Sequence, residues 1–337
     1  MAGLLLSVAG PAWSNPASSL ADSIVVQVFE DAPIEFHSPD STASSASSAL
    51  SGRRDNGRLI EATVDLPEMV GSHRIWAVLT IHPVAKDERN VHDRYDRAGS
   101  IRLVVPERPD LEVIRFITAY GGRTRHRVDV SHLSPVLRGR RSFLAFIDTW
   151  TSPAWTVDLS LHFVADTTYD NPSWVEPVVW VESFTRQDQP NGVGTKSVVP
   201  EGLERVALQY VSTGHCTDGR DEDEFISKAN VISVDGRVVA RFHPWRNDCR
   251  RFRDRNPYCT RWTDGSWSSD YSRSGWCPGV EVTPTEFDLT DALPPGEHEL
   301  HFRIENMRPR DQDGHHGYWR VSACLVGWDH PPRLWRN

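Results

Sequence analysis

Short runs in which apolar and polar residues alternate dominate this sequence, and no window of a dozen residues keeps the apolar stripe of a helix. Alternation with a period of two is typical of strands that bury one face. The pattern predicts strands over 58–66, 74–81, 99–105, 111–117, 142–147 and 155–163, then, from near Val175 onward, over 205–211, 230–233, 237–242, 299–304 and 318–325. Many short strands with scarcely any helix indicate an all-β chain built from two sandwiches or jelly rolls.

The chain length and the polar segments indicate how the sequence divides into domains. A chain of 337 residues is more typical of two domains than of one. Residues 38–56 are rich in Ser, Ala and Asp and lack an apolar period, which is typical of a linker or a disordered segment. The polar, Pro-containing stretch from Asp166 to Pro172 separates two sets of strands. We therefore predict a leader and linker over 1–56, an N-terminal domain over 57–165 and a C-terminal domain over 173–337.

The first residues resemble part of a secretory signal. Met1 to Gly10 is largely apolar and Pro11 to Ser14 follows with small residues, although no basic stretch comes first. A start codon further upstream would explain that missing stretch, and a disordered tail is the alternative interpretation. No run approaches the roughly 20 apolar residues that a membrane span needs. We expect a secreted or periplasmic protein without a membrane span.

Composition argues against some partners and favours others. The formal net charge is −9, which argues against a general binder of nucleic acid or anionic membranes, because such proteins need a basic face. The sequence has 13 Trp against three Met, a large excess. Trp packs in protein cores, and it also provides flat faces on which sugar rings can stack.

The five cysteines all lie in the C-terminal half, and none forms a CxxC zinc pair. Cys324 lies in an apolar, strand-like run, which predicts a buried thiol. The other four are in polar, loop-like sequence, where exported proteins place disulfides. They are Cys216, Cys249, Cys259 and Cys277. A bridge between Cys216 and Cys259 is one option that spacing alone does not establish.

Residues 210–279 concentrate the groups that a hydrolytic or sugar-binding site needs: carboxylates, cationic donors and tryptophans between short strand-like runs. The acidic run from Asp218 to Glu224 lacks the ligand spacing of a calcium loop, so most of its acids are expected to be solvated. Glu224 differs because Phe225 and the following strand are expected to fix its position. His315 and His316 are adjacent, so on a strand they would point to opposite faces and make a poor joint metal site.

Two segments of the first half also carry candidate acids. The charged loop from His92 to Ser100 places Asp96 beside Arg97, and a carboxylate next to a guanidinium can stay ionised and act as a base. A solvated loop with surface ion pairs is the alternative. Asp148 closes an apolar strand two residues before Trp150, on the same pleat face, although a turn-forming Asp explains this equally well.

Taken in order, these segments resemble the peptide-N-glycosidase F family, amidases that cleave N-linked glycans from asparagine. The strongest match is Arg273-Ser274-Gly275-Trp276-Cys277-Pro278-Gly279, which is similar to the family's Arg-x-Gly-Trp-Cys-Pro-Gly. The other matching segments, collinear over about residues 57–327, are Tyr95-Asp96-Arg97, Arg115 to Tyr120, Asp148-Thr149-Trp150, and Glu224-Phe225 followed by Asn230-Val231-Ile232.

The resemblance implies two adjacent eight-stranded antiparallel jelly-roll sandwiches with an active site in the cleft between them. It implies that Asp96 is the principal catalytic carboxylate, with Glu224 and Asp148 as supporting acids. The expected substrate-binding residues are Arg97 and Arg273 as cationic donors, Tyr120 and Trp150 in the sugar-contacting wall, and Thr213. A disulfide between Cys249 and Cys277 is also implied.

The implied reaction is hydrolysis of the amide bond between Asn and the innermost N-acetylglucosamine, which gives Asp and a released glycan. It needs no metal and no cofactor. The expected substrates are N-glycosylated peptides or unfolded glycoproteins, and the expected state is a monomer.

Departures from the family pattern keep other functions open. Asp148 stands where the family has Glu, Thr213 stands where the reference enzyme has a sugar-facing Trp, and His92 takes the place of a cysteine beside the first catalytic loop. One alternative is a glycan-binding jelly-roll protein that has lost turnover. Another is a copper-dependent monooxygenase, a class that shares the paired jelly-roll architecture. A third is a glycosidase with two carboxylates, which would leave the innermost sugar on Asn.

Overall fold

The computed structural model describes residues 23–38, 53–216 and 222–330, and it is built almost wholly from antiparallel strands. The strands are β1 Ile24–Ile34, β2 Arg53–Arg54, β3 Leu59–Leu66, β4 His73–Pro83, β5 Ala98–Leu103, β6 Leu111–Ile117, β7 Thr124–Asp129, β8 Gly139–Ile147, β9 Trp155–Ala165, β10 Trp174–Phe184, β11 Val193–Val199, β12 Arg205–Cys216, β13 Asn230–Val234, β14 Arg237–Phe242, β15 Glu281–Val282, β16 Thr285–Asp288, β17 Gly296–Ile304 and β18 Gly317–Trp328. Short 3-10 helices lie at Asp55–Gly57, Ser131–Leu133, Cys249–Arg255 and Ser268–Asp270. None of the helices in the described ranges is long and apolar enough to cross a membrane. The all-β prediction is confirmed.

Eight strands of the N-terminal half form the first jelly roll. One sheet has the order β1-β9-β4-β7, and the facing sheet contains β3-β8-β5-β6. Two short strands extend this second sheet, β2 beside β3 and β15 beside β6. Counted along the chain, the first sheet therefore holds the first, eighth, third and sixth strands, and the second sheet holds the second, seventh, fourth and fifth. This arrangement is that of a two-sheet jelly roll.

The C-terminal half repeats the same arrangement. Its sheets have the orders β10-β18-β12-β16 and β11-β17-β13-β14, which again pair the first, eighth, third and sixth strands against the second, seventh, fourth and fifth. The chain passes from one jelly roll to the other over residues 166–173. The predicted hairpin turn joins β13 to β14, where Asp235 and Gly236 have φ values of 48° and 78°. The prediction of two adjacent eight-stranded jelly rolls is confirmed.

Strand β1 corrects the predicted start of the first jelly roll. The prediction that residues 1–56 are only leader and linker is wrong for β1, which pairs with β9 from Ile24 opposite Phe163 to Ile34 opposite Trp155. The strand lies at a sheet edge, and several of its residues are exposed, so its apolar alternation is weak. Residues 1–22 and 39–52, with the rest of that predicted leader and linker, lie outside the described residues.

The packing of the sheets follows from the sequence pattern. Every second residue of β9 is buried, and Trp155, Leu159 and Phe163 point into the core between the sheets. Strand β5 is buried at every position, because one of its faces covers that core and the other faces the second jelly roll. Burying a large apolar side chain contributes about 1.5–3 kcal/mol, so these strands supply much of the domain's stability.

The two jelly rolls are joined by bonds that cross between them. Strand β15 belongs to the long connection 243–284 of the second jelly roll, yet it pairs with β6 of the first. Arg115 on β6 is almost fully buried and donates hydrogen bonds to the Thr213 hydroxyl at 3.0 Å and to the Arg320 carbonyl at 2.9 Å. These contacts fix one domain against the other, so the cleft above them is preformed.

Candidate active site

A cleft of about 830 Å³ lies where the loops of the two jelly rolls meet. The first jelly roll lines it with the loop before β5, the end of β8 and the residues that follow β8. The second lines it with the ends of β10 and β12, the start of β18, and Glu224 and Trp276 from connecting loops. The predicted site residues that line the cleft are Asp96, Arg97, Asp148, Trp150 and Glu224.

Asp96 and Glu224 come from corresponding loops. Asp96 lies between the third and fourth strands of the first jelly roll, β4 and β5, and Glu224 lies between the third and fourth strands of the second, β12 and β13. Both carboxylates bind one guanidinium: Arg273 Nη2 is 3.5 Å from Asp96 Oδ2, and Arg273 Nε is 3.3 Å from Glu224 Oε1. The cleft therefore contains two acids held together by a single buried cation.

Arg273 lies behind the two carboxylates rather than in the cleft. Its side chain is only 1% exposed, and its other N–H groups bond to the carbonyl oxygens of Ser268 at 2.9 Å and Tyr271 at 3.1 Å. The prediction that Arg273 binds substrate is wrong in this respect, because its side chain is buried and is not among the residues that line the cleft. Its charge acts on the substrate through the acids that it holds.

Tyr120 belongs to the same supporting layer. Its hydroxyl accepts a hydrogen bond from Arg273 Nη2 at 3.4 Å and interacts with the Asp96 carboxylate. Its main-chain N–H donates to Asn256 Oδ1 at 2.9 Å, which ties the first jelly roll to the long connection of the second. Tyr120 is not among the residues that line the cleft, so the structure does not place it in the predicted sugar-contacting wall.

Burial gives the two acids unusual proton affinities. Burial raises the pKa of Glu224 to about 7, with Arg273 opposing the rise and the charge of Asp96 adding to it. Burial also raises the pKa of Asp96, against the lowering effects of Arg273 and the Tyr120 hydroxyl. Two carboxyls this close titrate as a pair, so the removal of one proton makes the second harder to remove. Near neutral pH the pair can therefore hold one proton and one negative charge.

The long connection 243–284 positions Arg273 and Glu224. A disulfide joins Cys249 to Cys277, as predicted, and Arg273 lies inside the loop that it closes. The main chain of Arg273 bonds to that of Arg246, which precedes the loop. The Ser274 N–H donates to the Glu224 carbonyl at 2.8 Å. This one loop therefore carries the shared cation and also fixes the backbone of the second acid.

Two glycines of the motif from Arg273 to Gly279 lie where a side chain would clash. Gly275 has a φ of 86°, and a Cβ atom there would lie 2.3 Å from the Ser212 carbonyl oxygen. Gly279 has a φ of 78° and packs on Ala119 of the first jelly roll. Side chains at these positions would push the loop away from β12 and from the first domain.

Asp148 sits in an ion-pair network and not beside the two acids. Its carboxylate accepts from Arg58 Nη1 at 3.0 Å and from Arg320 Nη2 at 2.8 Å. Arg320 also donates to Glu182 at 2.9 Å, and its side chain is 6% exposed. Because Arg58 belongs to the first jelly roll and Arg320 to the second, Asp148 links the domains across the cleft. Both oxygens of its carboxylate are therefore occupied by guanidinium donors.

Trp150 forms an exposed wall next to this network. Its side chain is 56% exposed, and the Arg58 guanidinium lies 4.6 Å from its ring centroid. Phe36, which follows β1, packs at the Trp150 ring with centroids 5.1 Å apart, and its N–H donates to the Thr151 carbonyl at 2.8 Å. One side of the indole is thus supported while another remains open to the cleft.

Arg97 is oriented by Asp93, a buried acid that does not line the cleft. Its Nε donates to Asp93 Oδ2 at 2.9 Å, and Asp93 is fully buried. The same carboxylate accepts hydrogen bonds from the Thr149 hydroxyl at 2.6 Å and the Trp155 indole at 3.3 Å. Asp93 is therefore a structural anchor for the loop that carries Asp96, while the 20% exposed Arg97 keeps access to the cleft.

Thr213 does not contact the cleft, which corrects its predicted role. The residue is fully buried, and its hydroxyl bonds to Arg115 and to His215 Nε2, the latter at 2.9 Å. His215, two residues further along β12, lines the cleft floor instead, between the rings of Trp276 and Tyr318. Burial holds the pKa of His215 well below its usual range, so this imidazole is neutral.

Several cleft residues were not predicted as site residues from the sequence. They are Arg58, Glu182, His215, Cys216, Tyr318 and Arg320. Most of them lie at or near strand ends, where a polar residue in a strand-like run gives no signal of its own. Cys216 and Cys259 are thiols rather than a disulfide, and Cys324 is a buried thiol as predicted.

Comparison with protein families gives two matches. Residues 183–326 match the family model described as peptide-N-glycosidase F, C terminal, and residues 105–163 match the one described as peptide-N-glycosidase F, N terminal. Together the matched segments cover more than half of the chain, and both jelly rolls contribute to them.

Individual relatives agree with these matches. Peptide-N(4)-(N-acetyl-beta-D-glucosaminyl)asparagine amidase F of Elizabethkingia miricola is 21% identical over 279 residues, which span 77% of this chain and 76% of that protein. The solved structure of PNGF-II has a TM-score of 0.78 and 25% identity over 92% of this chain, and the match spans 65% of PNGF-II. PNGase F, a glycosylasparaginase from Flavobacterium meningosepticum, has a TM-score of 0.70 and 16% identity over 92% of this chain and 97% of that protein, a likeness of fold.

Proposed function

Because the chain belongs to the peptide-N-glycosidase F family, we propose that it hydrolyses the amide bond between an asparagine side chain and the innermost N-acetylglucosamine of an N-linked glycan. The observation that carries this proposal is the pair of cleft carboxylates, Asp96 and Glu224, bound to the buried Arg273. Such a pair supplies a base and an acid side by side, which is what amide hydrolysis requires.

Asp96 is the base in this proposal. It lies in the cleft with 15% of its side chain exposed, so a water molecule can reach it. Arg273 and the Tyr120 hydroxyl favour its ionised form. Asp96 takes a proton from a water molecule as the water oxygen forms a bond to the amide carbon. The π electrons of the C=O bond then move to the carbonyl oxygen.

Glu224 is the proton donor. Its pKa of about 7 lets the protonated form persist near neutral pH, whereas an ordinary Glu would be ionised. When the tetrahedral intermediate collapses, the C–N bond breaks and the nitrogen takes the proton of Glu224. The products are a peptide with Asp in place of Asn and a 1-amino glycan. Asp96 then releases its proton to solvent and Glu224 takes one up from solvent, which restores the starting protonation of the pair.

Within the described ranges, three cations line the cleft, Arg58, Arg97 and Arg320, and two of them, Arg58 and Arg320, bond to Asp148. We assign the third, Arg97, which follows Asp96 directly in the chain, to the developing oxyanion. Its guanidinium is oriented by the buried Asp93, so no reorganisation is needed when charge develops. Arg273 contributes differently, because it fixes the spacing of the acid and the base.

The far end of the cleft is suited to a sugar. Trp150 offers an exposed indole face, and the network around Asp148 offers polar groups for hydroxyls. In this proposal Asp148 shapes the wall and takes no proton during the reaction. Its shorter side chain is accommodated by two guanidiniums that reach it from opposite domains.

The substrates in this proposal are N-glycosylated peptides and unfolded glycoproteins, because the acids lie within a cleft that an asparagine side chain must enter. A secreted or periplasmic location fits the Cys249–Cys277 disulfide, which an oxidising compartment maintains. The proposal takes the protein as a monomer.

Hydrolysis of a denatured high-mannose glycopeptide in water enriched with ¹⁸O tests the proposal. The expected result is one heavy oxygen in the new Asp side chain, together with a glycan released as its 1-amino form. A peptide that keeps one N-acetylglucosamine on Asn would identify a glycosidase instead. Glycan binding without release would identify a lectin, and Asp96→Asn serves as the matched inactive control.

A further inference from the structure

Cys216 lies at the end of β12 and lines the cleft beside Glu224. Its thiol donates a hydrogen bond to Glu224 Oε2 with an S–O distance of 3.3 Å. On the other side of the same carboxyl group, Arg273 Nε donates to Oε1 at 3.3 Å. Each oxygen of Glu224 therefore has its own donor, and the two donors come from different parts of the second jelly roll.

Such an arrangement determines the plane of the carboxyl group. With a single donor at Oε1, the group could rotate about its terminal C–C bond, a torsion with broad minima. A second donor at Oε2 restricts that rotation. The restriction matters for proton transfer because the hydrogen of a protonated carboxyl is favoured on the oxygen further from a guanidinium. That oxygen is Oε2, which Cys216 contacts.

We propose that Cys216 is a positioning residue that holds the Glu224 carboxyl so that Oε2 presents its proton to the cleft. The inference rests on the proposed function, since it assigns Glu224 as the proton donor. A thiol is well suited to this task because it is a weak hydrogen-bond donor. It fixes the orientation of the acid while leaving the carboxyl able to keep its proton near neutral pH.

The other groups that act on Glu224 cannot replace the thiol. Among the described residues, Arg273 bonds to the opposite oxygen, and the charge of Asp96 repels the ionised form of Glu224. Burial raises the pKa of Tyr318 on β18 to about 12, and the negative charge of Glu224 adds to the rise, so this phenol stays neutral throughout the working pH range. Cys216 is thus the neutral donor within hydrogen-bond distance of Oε2.

The test compares Cys216→Ala with the wild-type protein and with Cys259→Ala. Cys259 is a second half-buried thiol of the same domain, and it does not line the cleft. We expect Cys216→Ala to lower kcat several-fold while KM stays within about twofold, because the substrate still binds but proton donation is misaligned. The limb of the pH–rate profile that belongs to Glu224 should move to higher pH by about half a unit, since a donor to the ionised form is lost. Cys259→Ala should change neither quantity.

A second measurement needs no substrate. NMR titration of ¹³C-labelled Glu carboxyls follows the pKa of Glu224 directly, and a Glu224→Gln spectrum identifies its resonance. A higher pKa in Cys216→Ala supports the inference even if the wild-type protein hydrolyses no glycopeptide, in which case the proposed function alone fails. An unchanged pKa together with an unchanged pH–rate profile overturns the inference. A loss of thermal stability alone would mean that Cys216 only fills space.

Discussion

The two jelly rolls have the same strand order, but they position their functional side chains differently. In the first, the connection between the fifth and sixth core strands is the short segment 118–123. In the second, the corresponding connection is 243–284, and the Cys249–Cys277 disulfide closes part of it. The first jelly roll orients Arg97 with a buried carboxylate, Asp93, whereas the second holds Glu224 with a cross-linked loop that also supplies Arg273.

This difference shows how one architecture, used twice in one chain, can deliver two acids to a cleft and also supply the cation between them. Corresponding loops, each between the third and fourth strands, deliver Asp96 and Glu224 to the same cleft. In the first jelly roll, Asp96 lies two residues before β5, so its carboxylate is close to a strand end. The long connection of the second crosses the interface, pairs with β6 through β15 and places a cation behind both acids. The site is therefore complete only when both jelly rolls are docked.

The largest expected effect comes from the first jelly roll's acid. Asp96→Asn is nearly isosteric, lies on a loop and should leave the fold intact. We expect turnover to fall by at least about a hundredfold, because the substitution removes the base. Initial rates on a denatured glycopeptide measure this, with circular dichroism as the control for folding. Near-normal turnover would transfer the base role to Glu224, since Asp93 is fully buried and bonded on all sides.

The next largest expected effect comes from removing the disulfide of the second jelly roll. Replacing Cys249 and Cys277 together by Ala removes a cross-link between residues 28 positions apart, which should lower the free energy of unfolding by roughly 3 kcal/mol. Turnover should fall as well, because the same loop carries Arg273 and fixes the Glu224 backbone. Chemical denaturation and rate measurements test this against Cys259→Ala, which changes a thiol in the same connection. Full activity in the double variant would show that docking on β6 is sufficient to position the loop.

Sequence patterns predicted most of the fold because the core strands alternate clearly. The bounds of β6 and β14 agree with the predicted ranges, and the hairpin turn at Asp235-Gly236 is confirmed. Some edge strands, although not β14, were missed for a physical reason. The β7 sequence, Thr124 to Asp129, is mostly polar because an edge strand is only half covered, and β1 has the same difficulty. The packing of edge strands depends on neighbours that a local pattern does not contain.

The candidate site was predictable as a set of residue types but not as a geometry. The resemblance identified Asp96, Glu224 and Arg273, and the structure brings all three together. A sequence does not say on which side of the two acids the guanidinium lies, so Arg273 was assigned to the substrate. Thr213 failed for a similar reason, because it and His215 share one face of β12 and only the second reaches the cleft.

A smaller effect concerns the pH dependence of stability. The pKa of Glu224 is about 7 in the folded protein, raised by burial above the usual value of 4.5. Between these values the folded protein binds a proton that the unfolded chain releases, so stability falls as pH rises through this window and is restored as pH falls. Glu224→Gln should therefore be more stable than wild type by up to about 3 kcal/mol at pH 8 and nearly equal to it at pH 4. Denaturation curves at both pH values measure this, and Glu204→Gln, an exposed change, should show no such difference.

The smallest expected effect concerns the first strand of each jelly roll, since both approach the cleft. The end of β10 supplies Glu182 and Ser183 to the cleft lining. Phe36, two residues after the end of β1, packs against the Trp150 ring. Phe36→Ala should raise KM several-fold and leave kcat within about twofold, because the indole wall loses its support while the two acids are untouched. Phe36→Leu keeps apolar bulk at the position and should recover most of the loss, whereas Ile24→Ala, at the exposed far end of β1, should have no effect. Steady-state kinetics on a glycopeptide decide the matter. An unchanged KM in Phe36→Ala would mean that β1 only completes the sheet and that, of the two first strands, β10 alone takes part in the cleft.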